Sequence, residues 1–266
     1  MKKLKIYFKS REKGINLLLK KPRRLYTSNT FHELRVEIKK LNALLELINY
    51  CSKDFKRNKT FKPFKQIFKQ AGNVRDFQIE EAMLKKYFNN NLIKEYRQQL
   101  KKLRLKEQND YFSSINKNFS EKLKNKFHKI IPFLGQVPEK KVKQFIDEKK
   151  NKLAKLLNNN TLLKPQAHEF RKQLKSLNYS QKILNLGKQN ETHQKKDSLL
   201  ELLGKWNDCQ ITVLNLKKAV ASNVIKPSEE KQLKKITQKI VSDSEILFYL
   251  INEVIAKNYS TKEVIL

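Results

Sequence analysis

Glycine occurs only five times and proline six times in 266 residues, so the chain has few places for a tight turn. Long stretches contain neither residue, which argues against a fold of many short strands and predicts long helices in an all-α protein. The two cysteines, Cys51 and Cys209, lie far apart without metal-ligand spacing. Neither a disulfide framework nor a zinc site is therefore suggested, and a reducing cytoplasm is the default compartment. Apolar runs are short as well. The longest, Ile246–Ile251, falls far below a membrane span, and the basic opening MKKLKIYFKSREKG has no apolar signal segment after it. Neither export nor membrane insertion is expected. There is no HExxH, Walker loop or serine-nucleophile motif, no zinc-finger spacing and no RNA-recognition signature.

Acid is the scarcest commodity relative to base. With 59 Lys+Arg against 26 Asp+Glu, the formal net charge is +33. Such a charge pushes a compact chain apart unless anions sit close by, so the expected partner is a polyanion. A bias of the source genome toward lysine and asparagine tempers the count, but does not explain why the charges fall in ordered faces. At 39% hydrophobic the chain can still bury one large core or two smaller ones.

One stretch is written twice. TFHELRVEIKKLNALLELI, Thr30–Ile48, reappears as QAHEFRKQLKSLNYSQKIL, Gln166–Leu184. His32 aligns with His168, Glu33 with Glu169, Arg35 with Arg171, Lys39 with Lys175, Leu41 with Leu177 and Asn42 with Asn178. At about 100° per residue, His32, Arg35, Lys39 and Asn42 share one sector of a helix, while Leu34, Ile38, Leu41, Leu45 and Ile48 share a neighbouring apolar one. Protonatable side chains stacked on successive turns repel unless something anionic faces them. A single such face would simply be solvated; its duplication, with His, Arg and Lys in step, points to a site.

A second motif is also repeated. Gly72, Asp76, Gln78 and Ile79 recur as Gly204, Asp208, Gln210 and Ile211, at a slightly shorter distance from the first motif. The glycine predicts a sharp turn and a close backbone approach, with the aspartate in the first turn or so of the following helix. Asp76 and Asp208 then either balance a helix dipole or reach the basic face and orient Arg35 or Arg171. The second reading is favoured because the acid recurs together with the basic motif.

In chain order, a helix is predicted over Leu4–Lys20, ending in a basic turn around Pro22. The His32 helix is capped among Thr27–Thr30 and runs to about Ser52. Phe61, Phe64, Ile67 and Phe68 predict a short helix with core aromatics rather than stacking platforms. The next long helix, Asn91 to about Asn118, places Leu92, Tyr96, Leu100, Leu103 and Tyr111 in the core. A helix containing His128, read as structural or exposed, leads to Pro132–Pro138, the best internal boundary, which divides the chain into 1–135 and 136–266. The second half repeats the plan: a helix at Lys140–Asn158, a turn at Asn158–Asn160, the His168 helix, and a linker at Gly187–Thr192. Helices then run to Leu203, over Trp206–Asn223 and over Pro227–Lys257. Trp206 reads as a packing residue and His193 as surface.

The pairing of H-x-x-R-V-x-x-K-K, at His32–Lys40, with a later G-x-x-R-D-x-x-I, at Gly72–Ile79, both echoed in the second half, resembles the conserved histidine α-helical domain family, known as CHAD. The resemblance covers essentially the whole chain. It implies two pseudo-symmetric helical bundles around a basic central groove or pore, in a stand-alone, non-enzymatic binder of inorganic polyphosphate found at polyphosphate granules. This sequence departs from the family at Asn42 and Asn178, where a third basic residue is common. Ser176 also stands opposite Lys40, and Asn207 stands opposite Arg75, so the second half is chemically milder.

Polyphosphate is a chain of anionic groups without bases, so a binder needs cations and donors but no stacking slots. Arg35 and Arg171 suit bidentate grips, and Lys39, Lys40, Lys172 and Lys175 serve as point charges. Arg75 joins this set, and His32 and His168 donate from their rings, so binding is expected to tighten below neutral pH. Two alternatives remain at this point. One is non-specific nucleic-acid binding; the other is a metal-assisted phosphohydrolase using His32, Asp76, His168 and Asp208, which so cationic a setting disfavours. No cofactor, metal or catalytic residue is expected, and the oligomeric state is not legible.

Overall fold

The computed structural model describes residues 2–87, 92–184, 191–221 and 225–259. Its helices are α1 (Lys2–Leu19), α2 (Ser28–Cys51), α3 (Arg57–Tyr87), α4 (Lys94–Ser114) and α5 (Lys117–Ile130). They continue as α6 (Glu139–Ala154), α7 (Lys164–Leu184), α8 (Glu191–Ala221) and α9 (Pro227–Tyr259). Two short 3₁₀ turns, Arg23–Leu25 and Ile131–Gly135, complete the helical set among the described residues. Among the described residues the fold is all-α apart from one short hairpin, β1 (Leu157–Asn158) paired with β2 (Thr161–Leu162). Asn159 and Asn160 sit at φ 46° and 60°. Asparagine tolerates this left-handed region, and two such residues in a row make the tightest hairpin connection. The predicted asparagine turn is therefore real, but it joins strands.

Helix α2 starts where expected. The Thr27 side chain accepts from the Thr30 backbone N–H, and the Thr30 hydroxyl accepts from the Thr27 N–H, closing a reciprocal cap. Its predicted apolar sector, Leu34, Ile38, Leu41, Leu45 and Ile48, is fully buried.

The expected breaks at Gly72 and Gly204 do not exist. Helix α3 runs unbroken through Gly72, and α8 runs through Gly204. A helical glycine costs about 1 kcal/mol relative to alanine. The buried residues on either side, Ile67, Ala71 and Val74 around one glycine and Leu203 and Trp206 around the other, outweigh that cost. The expected linker over 187–192 lies mostly outside the described residues, as does the side chain of His193; residues 191 and 192 open α8.

The chain forms two compact units, each assembled from three separate segments. Unit 1 comprises Met1–Gly72, Gln108–Lys155 and Lys172–Glu191, and unit 2 comprises Asn73–Glu107, Leu156–Arg171 and Thr192–Leu266. In unit 1, α2 packs on α1 and α6. An aromatic cluster holds the start of α2: the rings of Tyr26, Phe31, Tyr111 and Phe112 meet with centroids 5.0 to 6.4 Å apart. A second group joins Phe64 of α3 to Phe127 of α5 at 5.0 Å, and Phe8 of α1 to the same Phe127 ring at 6.0 Å.

Unit 2 is built on Leu84, Ile93, Tyr96, Leu100, Cys209, Val213, Leu216, Leu233, Ile236 and Ile240. Ile93, rather than the predicted Leu92, continues the buried stripe of α4. Leu92 and Leu103 are 48% and 44% exposed. The first turn of α4 is capped from α9: the buried Glu229 carboxylate accepts the backbone N–H groups of Glu95 and Tyr96 at 2.8 and 2.9 Å. An anion is favoured there by the helix dipole and the otherwise orphaned donors.

Trp206 is buried against Phe248 with ring centroids 5.6 Å apart, as its packing role required. His128 is exposed. No described helix is long and apolar enough to cross a membrane.

Candidate functional site

The cationic face of α2 belongs to unit 1. His32 is exposed, and Arg35, Lys39 and Lys40 are half-buried. Arg35 has a defined seat on α3. Its Nη1 donates to the backbone carbonyl of Phe68 at 2.8 Å, and its Cζ lies 4.1 Å from the centroid of the Phe68 ring. The seat exists because residue 72 has no side chain: a Cβ there would fall 2.0 Å from Arg35 Nη1. The close approach expected at this glycine is therefore present, without the turn.

Lys39 shares the platform, with Nζ 5.5 Å from the same ring centroid. Phe64 and Ile67 are core as predicted, but Phe68 is half-exposed and carries two cations on its face. It is a stacking platform for the protein's own arginine, which the apolar pattern alone did not distinguish from core.

Lys40 turns to another side of α2. Its Nζ pairs with Glu37 at 2.9 Å, and Glu37 also takes Arg11 of α1 at 2.6 and 2.7 Å. Gly14 makes room for this carboxylate, since a Cβ there would meet Glu37 Oε2 at 3.1 Å. Glu37 thus joins α2 to α1 through Arg11, and Lys40 pairs with it from within α2.

Further along the Arg35 face lies Glu46. Its Oε1 accepts from Arg57 Nη2 at 3.0 Å and from Asn42 Nδ2 at 2.9 Å. Its Oε2 accepts from Lys149 Nζ at 2.8 Å and from the Ser176 hydroxyl at 3.1 Å. This hub ties the α7 segment bearing exposed Lys172 and half-buried Lys175 to α2, within unit 1. Sequence reasoning missed Glu46, Arg57 and Lys149. Arg57 sits in a lysine-rich stretch and Lys149 on a lysine-rich helix, so nothing in their surroundings marks them out.

The remaining predicted residues belong to unit 2. His168 is exposed, with Nδ1 3.3 Å from Oδ1 of the buried Asn207. With the proton on Nδ1, the ring donates to this amide oxygen and directs Nε2 outward. Arg75, Asp76, Arg171 and Asp208 are half-buried. Asp76 and Asp208 lie in the interiors of α3 and α8, so the helix-terminus role weighed for them does not apply. Gly204, unlike Gly72, has nothing within 4 Å of where a Cβ would stand, so the two repeated glycines do different work.

Among the described residues, no group of three or more His, Cys, Asp or Glu side chains is arranged to hold a metal ion.

Unit 2 also contains a cleft of about 470 Å³ lined partly by Asp76, Glu80, Tyr96, Leu103 and Asn215. At its base Glu80 is buried, accepting from the Tyr96 hydroxyl and, at 3.0 Å, from Asn215 Nδ2. Burial pushes the Glu80 carboxyl above the ordinary glutamate range. The folded state then holds this proton more tightly than the unfolded state does. The stability linked to Glu80 is therefore full at low pH and is lost as pH rises from the ordinary glutamate value through the raised one. Glu80→Gln is expected to remove this dependence and to be at least as stable as wild type at neutral pH. Urea midpoints of the two proteins between pH 4 and 7 check it: parallel curves would dissociate Glu80 from the effect.

Residues 17–216 match the family model of the CHAD domain. The crystal structure of the CHAD domain from the plant Ricinus communis is similar in fold, with a TM-score of 0.74 over 95% of this chain and 88% of that chain at 12% identity. No curated protein matches the chain in sequence. With the family model spanning most of its length and both basic motifs inside the match, the chain belongs to the CHAD domain family.

Proposed function

We propose that this protein is a non-enzymatic binder of inorganic polyphosphate that docks on polyphosphate granules in the cytoplasm. Its repeated His/Arg/Lys helices would line a basic groove and supply His32, Arg35, Lys39, His168, Arg171, Lys172 and Lys175, with Arg75, to the phosphate chain. The observation that carries this reading is the seating of Arg35. A carbonyl, an aromatic face and a missing Cβ hold its guanidinium in one place, so little side-chain freedom remains to be lost when a phosphate is gripped. Net charge of +33 supplies the long-range attraction. Membership of the CHAD domain family supports the binding reading.

Competition between long-chain polyphosphate and duplex DNA at near-physiological salt tests it, with wild type beside Arg35→Ala/Arg171→Ala. Polyphosphate is expected to win. Loss of two charge-assisted contacts at about 1.5–3 kcal/mol each should weaken it by roughly 100-fold or more. Equal competition by DNA with an unaffected double variant would mean that the charge acts diffusely, and the assignment would fall.

A further inference from the structure

The face of α2 that carries His32, Arg35, Lys39 and Asn42 does not stop there. One more turn at the same spacing brings Glu46, an acid at the end of a cationic stripe. Two cations from other helices converge on it, Arg57 from α3 and Lys149 from α6. Each also reaches a neutral residue of the repeated motif: Asn42, kept as Asn178 in the second copy, and Ser176, which stands opposite Lys40. Arg57 Nη2 donates to Asn42 Oδ1 at 2.9 Å, and Lys149 Nζ donates to Ser176 Oγ at 2.6 Å. The two positions that look chemically mild in the linear sequence are thus served by cations supplied from elsewhere in the fold.

We propose that Glu46 is a built-in stand-in for a phosphate group, and that Arg57, Lys149, Asn42 and Ser176 form a further phosphate subsite which polyphosphate takes over from it. This rests on the polyphosphate reading above. Two cations face one carboxylate, so the cluster retains a net positive charge that a phosphate chain satisfies better than Glu46 alone. The donor set, a planar guanidinium, an ammonium, an amide and a hydroxyl, is of the kind that phosphate oxygens use. The cluster is not sealed, since the side chains of Arg57 and Glu46 are 29% and 25% exposed. Arg57 also keeps a buried Nε–H that has no acceptor among the described residues, a cost that an incoming anion would relieve. Displaced from its donors, Glu46 would swing toward solvent.

The competing account is a purely structural ion network clamping α2, α3, α6 and α7. Glu46→Gln separates the two. The subsite predicts that it binds long-chain polyphosphate about 3- to 10-fold tighter than wild type, because the internal competitor is gone, and with a salt dependence steeper by roughly one ion. Glu139→Gln makes the same change in net charge at a site 86% exposed, and should shift affinity less than 2-fold. Arg57→Gln and Lys149→Gln, confirmed folded by circular dichroism, should each weaken binding several-fold. If Glu46→Gln does not fold, the Arg57→Gln/Lys149→Gln pair decides alone. Unchanged affinity in folded Arg57→Gln and Lys149→Gln, or equal gains for Glu46→Gln and Glu139→Gln, would overturn the subsite. The polyphosphate reading fails separately, if wild type itself shows no preference for polyphosphate or ignores Arg35→Ala/Arg171→Ala.

Discussion

Gly72→Ala is expected to leave the protein folded and yet reduce its polyphosphate affinity by roughly 10- to 100-fold, one charge-assisted contact. The new Cβ would stand 2.0 Å from Arg35 Nη1, so the guanidinium must leave its seat on the Phe68 carbonyl and ring. The atom displaced is the far end of a flexible side chain, and alanine improves helix propensity by about 1 kcal/mol. That gain offsets much of the lost arginine contact, so stability changes little while the binding geometry is lost.

The aligned glycine provides the control. Gly204→Ala meets nothing within 4 Å, and should raise stability by about 0.5–1 kcal/mol with affinity unchanged. Thermal unfolding and polyphosphate titration of both variants check the pair. Wild-type affinity in Gly72→Ala would show that the Arg35 seat has no part in binding.

The largest stability loss is expected at Phe31, the residue immediately before His32. Phe31 is fully buried, with Tyr26 and Tyr111 rings at 5.1 and 5.0 Å. Phe31→Ala removes a whole buried ring from a packed aromatic cluster, at a cost of about 3–5 kcal/mol. Tyr111→Phe keeps the ring and loses only the hydroxyl contact to Tyr26 at 3.0 Å, at about 1 kcal/mol. The Tyr26 hydroxyl still donates to the Leu18 carbonyl at 2.6 Å, so it is not orphaned. Guanidinium midpoints of the two variants should differ accordingly. Saturating polyphosphate at 100 times its Kd returns about 2.7 kcal/mol, so it should restore Phe31→Ala only in part. A loss for Phe31→Ala no larger than that for Tyr111→Phe would mean that this cluster does not anchor the helix carrying the site.

Helices were legible where period and punctuation agree. A cap among Thr27–Thr30, the apolar sector of α2 and the packing role of Trp206 all follow from local pattern. Glycine misled, because its freedom to turn is only a permission. Flanked by Ala71 and Val74 on a buried face, Gly72 serves as a gap in a continuous helix. Leu92 and Ile93 show the same limit in another form: adjacent apolar residues cannot both face one core, and only the packing of unit 2 selects Ile93.

By itself the amino-acid sequence determined the all-α class and the cationic face of α2, because helix periodicity and charge are properties of neighbours along the chain. Only the tertiary structure decided which side chains that face meets. Phe68 became a platform, Lys40 an ion-pair partner of Glu37, and Arg57 and Lys149 the cations beside Asn42 and Ser176. These contacts join residues far apart in the chain through interactions that act over a few ångströms, and no linear pattern records which of many similar lysines and arginines will arrive.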